Sequence, residues 1–134
     1  IYGSKNSSLI LLLLYPSQLD FSYHVDHIFP KKLLSERSLS KLGYNEIVAK
    51  EYSLLCNELP NLQLLHATPN MEKGIEIPED WLSKNYPDKQ QINLHKQLSL
   101  IPSDITLNLE NFKDFFQKRS SLIRSNLERI LGLN

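Results

Sequence analysis

The sequence predicts an α+β fold, with short strands set among helices. Helical periodicity governs both ends of the chain. By contrast, "FSYHVDHI" from Phe21 combines aromatic and β-branched residues, and "LQLL" from Leu62 is a short apolar run behind a proline. With 134 residues, 41% of them hydrophobic, the chain is long enough to bury a core, so residues 1–134 are expected to form one domain.

Ser4 to Leu14 reads as a helix that Pro16 stops, because proline lacks an amide proton and restricts the residue before it. In the strand after it, alternation sets Tyr23 and Val25 on one face and His24 and Asp26 on the other, until Pro30 turns the chain. Leu33 to Leu42 reads as a helix with Gly43 placed to cap it. Asn45 opens another, in which Ile47, Val48, Tyr52, Leu54 and Leu55 recur at near-helical spacing. Pro60 breaks that helix ahead of the second strand, and "HATPNMEKG" is expected to carry a turn, then a brief helix from about Asn70 to a stop at Gly74. Pro78 starts a helix anchored by Trp81 and Leu82, and Asp88 to Leu98 gives a weakly amphipathic one. From Leu109, the residues Phe112, Phe116, Ile123, Leu127, Ile130 and Leu131 form an apolar stripe that Gly132 closes. Residues 1–16 and 78–132 thus read as helical support for a central segment of about 22–75.

Composition excludes several classes. The run "LILLLLY", Leu9 to Tyr15, is far shorter than the roughly 20 apolar residues of a membrane-spanning helix and reads as a buried helix. A single cysteine, Cys56, excludes an internal disulfide and a zinc site built on several thiolates, and suits a reducing cytosol. The 15 basic residues balance 15 acidic ones, so no global basic field points to nucleic acid. Charge is local instead. Lys31, Lys32, Arg37 and Lys41 form one basic cluster and Lys118, Arg119, Arg124 and Arg129 another, each read equally as a solvated helix face or a phosphate contact. The opening at Ile1, with no charged leader before an apolar run, reads as a fragment of a longer protein.

Three pieces carry the chemistry: "HVDHIFP", "NLQLL" and "TPNMEKG". Their order, strand with Asp-His, strand headed by Asn, then a short helix with Asn and Lys, describes a β-hairpin and helix that can close round one divalent ion. Hydrolysis of a phosphodiester needs a base for the attacking water and a cation for the charge on phosphate and leaving oxygen. Asp26 and Asn70 offer hard oxygen ligands, which suit a largely hydrated Mg²⁺. His27 is the candidate base, since an imidazole of ordinary pKa about 6.5 takes up a proton near neutrality. Asn61 is placed to fix the loop or ring of His27, and Lys73, one helical turn after Asn70, to reach a phosphate oxygen. Each has a plainer reading: a polar strand end for Asp26 and His27, a turn for Asn61, an N-cap for Asn70 and a solvated charge for Lys73.

"DHIFP", "NLQLL" and "NMEK" resemble the three parts of an HNH endonuclease of the ββα-metal, or His-Me finger, superfamily. The resemblance implies a ββα-metal core wrapped in helices, with Asp26 and Asn70 as metal ligands, His27 as general base and Asn61 as positioning residue. Ending in asparagine, as in RNA-guided CRISPR nucleases, it implies Mg²⁺ rather than zinc, with Mn²⁺ as a substitute. From about Leu11 to Leu131, including "NELPNLQLLHATPNMEKGIEIPEDWL" and "FKDFFQKRSSLIRSNLERIL", the chain is similar to the C-terminal part of GmrSD-like restriction proteins. Those couple a ParB-like, NTP-using N-terminal domain to a nuclease half and cut modified or foreign DNA, often from phage. This implies a cytoplasmic prokaryotic protein with DNA as partner, and homodimerisation if both strands are cut. The chain departs from the pattern in three ways. Asp26 and Asn61 lie too far apart for a bare hairpin, so a helical insertion must loop out between the strands; paired CxxC knuckles are missing; and the ParB-like half is absent.

His24, Lys31, Lys32 and His66 are weaker candidates for substrate contact, and His24 is also a possible third ligand. His95, Trp81 and the phenylalanines at 112, 115 and 116 read as structural. Two other functions stay open on the sequence: a binding module with a catalytically silent HNH fold, and an RNA-cutting version of the same site.

Overall fold

The computed structural model describes residues 1–15, 23–66 and 76–133. In chain order these form α1 (Lys5–Leu14), β1 (Tyr23–His27), α2 (Glu36–Lys41), α3 (Glu46–Leu55), β2 (Leu62–His66), α4 (Pro78–Asn85), α5 (Lys89–Leu98) and α6 (Phe112–Ile130). Short 3-10 turns at Leu59–Asn61 and Leu109–Asn111 lead into β2 and α6. The architecture is mixed helix and sheet: β1 and β2 pair antiparallel as a two-stranded sheet, with α2 and α3 inserted between them.

The helix ends follow from short polar side chains. Ser4, Ser35, Asn45 and Asp88 each accept a hydrogen bond from the amide three residues on, satisfying a donor that the first helical turn leaves open. Pro78 occupies the first turn of α4, where its missing amide proton costs nothing. After α2, Gly43 takes a φ of 95°, a conformation that side chains resist.

Two expectations change. The helix read from Leu33 begins only at Glu36, because the amides of Leu33 and Leu34 both turn back to the carbonyl of Pro30, at 3.0 and 3.1 Å, and Ser35 then caps the helix. Leu33 and Leu34 are therefore buried anchors of a turn. Helix α1 is buried along one face only: Leu11 and Leu14 pack inward, while Leu9, Leu12 and Leu13 face solvent.

The core has two parts, one on each side of the sheet. Ile28, Phe29, Leu34, Leu39, Leu65, Trp81, Phe112 and Phe115 belong to the larger, where the Phe29 ring meets those of Phe112 and Phe115 at 5.0 and 5.1 Å. Leu11, Leu14, Tyr15, Leu62, Leu64 and Ile123 form the smaller, between α1, β2 and α6. The structural reading of Trp81, Phe112 and Phe115 holds, all three being buried.

Arg119 corrects the reading of the second basic cluster. It is 0% exposed, and its guanidinium satisfies backbone carbonyls rather than phosphate or solvent. Nη1 donates to Leu59, Pro60 and Leu62 at 3.3, 2.8 and 2.6 Å, while Nε and Nη2 donate to Ser99 at 3.2 and 3.0 Å. Burial lowers its pKa to about 10, still far above neutrality, so the group stays charged. It ties α6 to the turn that launches β2. Its position was visible in the sequence: Phe112, Phe115, Arg119 and Ile123 recur at three- and four-residue steps, so Arg119 lies on the apolar stripe. Among the described residues, no helix is long and apolar enough to cross a membrane.

Candidate active site at the mouth of the strand pair

Backbone pairing aligns Asp26 with Gln63 and His27 with Leu62, so the end of β1 meets the start of β2. The pleat sends neighbouring side chains to opposite faces. Asp26 accordingly shares the side of Gln63, and His27 the side of Leu62.

Asn61 fixes the backbone just beyond His27. Its Oδ1 accepts from the Phe29 amide at 2.9 Å, and its Nδ2 donates to the carbonyls of Phe29 and Cys56 at 3.0 and 2.8 Å. Its own carbonyl accepts from the Ile28 amide at 2.8 Å. The side chain is 0% exposed and holds the "HIFP" backbone between β2 and the end of α3. Of the two roles open to it, loop and ring, these bonds serve the loop.

The ring of His27 is held elsewhere. Nε2 lies within hydrogen-bond distance of Oδ1 of Asn57, at 2.9 Å, and the Tyr2 ring lies against the imidazole with centroids 4.3 Å apart. The Tyr2 amide donates to the Asn57 carbonyl at 2.7 Å, which joins the three residues in one cluster. His27 and Asn57 are half-buried, and Tyr2 is 45% exposed. Sequence reasoning passed over Asn57 and Tyr2. Asn57 sits in "CNELPN" with no spacing to single it out, and its contact with His27 spans 30 positions.

Asp26 is half-buried, and its Oδ2 accepts from Nε2 of Gln63 at 3.3 Å. The other amide atom of Gln63, Oε1, meets no hydrogen-bond partner among the described residues. Gln63 also lines a cavity of about 10 Å³ with Trp81 and His95, close to the space one water occupies.

The other candidates separate. His24, Lys31 and Lys32 are exposed, His24 opposite Leu65 on β1 and the lysines in the turn after Pro30. His66 pairs with Tyr23 at the far end of the sheet from His27. Asn70 and Lys73, together with the brief helix and the Gly74 stop, lie outside the described residues. Cys56 is buried and desolvation pushes its thiol up to about 11, which keeps it protonated and unreactive.

Of the two metal-ligand candidates, Asp26 lies among the described residues and Asn70 outside them. Among the described residues, no group of three or more His, Cys, Asp or Glu side chains gathers to hold an ion. The Asp26 carboxylate is a hard oxygen donor of the kind a largely hydrated Mg²⁺ takes. No protein-family model matches the chain, and no curated protein matches it either.

Proposed function

We propose that this chain is an HNH-type endonuclease with a ββα-metal core, hydrolysing DNA phosphodiester bonds with Mg²⁺, or Mn²⁺ in its place. The observation that carries this reading is the pairing of "YHVDH" with "LQLLH" across a helical insertion, with the Asn61 side chain clamping the backbone just beyond Asp26 and His27. That is the arrangement expected of an Asp-His strand and an Asn-headed strand serving one site. His27 takes the proton from the attacking water as the bond from phosphorus to the leaving oxygen breaks. Asp26, with Asn70, would hold the divalent ion, which supplies positive charge to the phosphate. Lys73 is assigned to a phosphate oxygen, and His24, Lys31, Lys32 and His66 to the flanking backbone of the substrate.

The wider setting rests on sequence likeness: restriction of foreign or modified DNA in a prokaryotic cytoplasm, beside a ParB-like NTP-using domain, as a homodimer where both strands are cut. The reading is tested by incubating the protein with supercoiled plasmid and, separately, with a structured RNA, each with Mg²⁺ or with EDTA. Metal-dependent nicking of plasmid that Asp26→Ala abolishes is the expected result. Cleavage of RNA alone would move the substrate class. DNA binding that survives Asp26→Ala, without turnover by the unaltered protein, would make the chain a binding module.

A further inference from the structure

We infer that Asn57 is the positioning residue for His27, holding the imidazole in the tautomer whose proton is on Nε2 and whose basic nitrogen is Nδ1. The inference rests on the nuclease reading for its catalytic consequence, while the contact itself rests on geometry.

A neutral imidazole carries one donor and one acceptor nitrogen, and the group that meets one of them decides which is which. The atom facing Nε2 is the Asn57 amide oxygen, at 2.9 Å. An amide oxygen only accepts, so Nε2 holds the proton and the lone pair able to take another is on Nδ1. The same bond survives when the ring becomes imidazolium, because Nε2 donates in both states.

Asn57 is itself well held. It stands between Cys56, 2% exposed, and Glu58, whose amide donates to Leu55 at 3.1 Å. Its carbonyl accepts from Tyr2 at 2.7 Å, and the Tyr2 ring covers part of the imidazole. These are backbone and ring contacts, so removing the Asn57 amide need not disturb them. Asn61 cannot take over the task, because its Oδ1 and Nδ2 are engaged with the backbone of Phe29 and Cys56.

The test uses the 134-residue chain with ¹⁵N-labelled histidine. Long-range ¹H–¹⁵N correlation spectra are recorded at a pH where His27 is neutral, with His27→Ala to assign its signals. The unaltered protein is expected to show His27 protonated on Nε2. Asn57→Ala should lose that preference and nick plasmid roughly tenfold more slowly, a part of the 10²–10⁴ that general-base catalysis contributes. Asn57→Asp, which keeps an acceptor oxygen at the same reach, should restore the Nε2 proton. A proton on Nδ1 in the unaltered protein, or an Asn57→Ala spectrum identical to it, overturns the inference. If the tautomer responds to Asn57→Ala but the unaltered protein cuts no nucleic acid, the hold on the ring stands and the nuclease reading fails.

Discussion

Asn61 and Arg119 are wholly buried, whereas Asp26 and His27, at the same end of the strand pair, are half-buried. All four are polar, so burial separates them by task. The first pair spends its hydrogen bonds on backbone: Asn61 on Phe29 and Cys56, Arg119 on Leu59, Pro60, Leu62 and Ser99. The second pair is met by side chains, Gln63 and Asn57, that orient without enclosing. A buried polar group must be satisfied by protein, while a reacting group must keep a side open to substrate. The asparagine that opens the second motif therefore belongs with the frame, and the group that aims the candidate base comes from the insertion between the strands.

That division can be broken by substitution. Arg119→Met should have the largest effect, since it strands the backbone carbonyls that the guanidinium satisfies; a loss of about 3–5 kcal/mol is expected, read from the urea midpoint. A near-neutral result would show that α6 does not lock the turn before β2. Asn61→Ala should come next, at about 2–3 kcal/mol, because the Phe29 amide and two carbonyls lose their partner inside the core. Were Asn61→Ala as stable as the unaltered chain yet inactive, Asn61 would belong with the proposed catalytic pair, Asp26 and His27, after all.

Cys56→Ala sharpens the comparison on a smaller scale, about 1 kcal/mol at neutral pH, for a small buried side chain. Burial raises the thiol from its ordinary value near 9 to about 11, so between these the folded state holds a proton that the unfolded state releases. The stability contributed by the neutral thiol is full below about 9 and is lost as pH rises through about 11. The gap between the two proteins should accordingly narrow across that window in paired urea titrations, and a constant gap would contradict the burial of Cys56.

Much of this was legible in the chain. Caps at Ser4, Asn45 and Asp88, the proline at 78 and the glycine at 43 mark helix ends because their chemistry is local. The need for a helical insertion came from the distance between Asp26 and Asn61, and α2 and α3 fill it. The features that escaped depend on contacts the local pattern does not carry. Ser35 shortened α2 through a turn that Pro30 organises. Arg119 was grouped with its charged neighbours rather than with the stripe on which it lies. Asn57 meets His27 across the whole insertion, so no local pattern announces it.

The central claim is that His27 is a reacting group rather than part of the frame, and one measurement addresses it directly. Nicking of supercoiled plasmid in Mg²⁺ is measured for the unaltered protein and for His27→Ala, with circular dichroism recorded on both. The account predicts metal-dependent nicking that falls at least a hundredfold in the variant with the fold intact. Equal rates in the two proteins, or a variant that no longer folds, would contradict it.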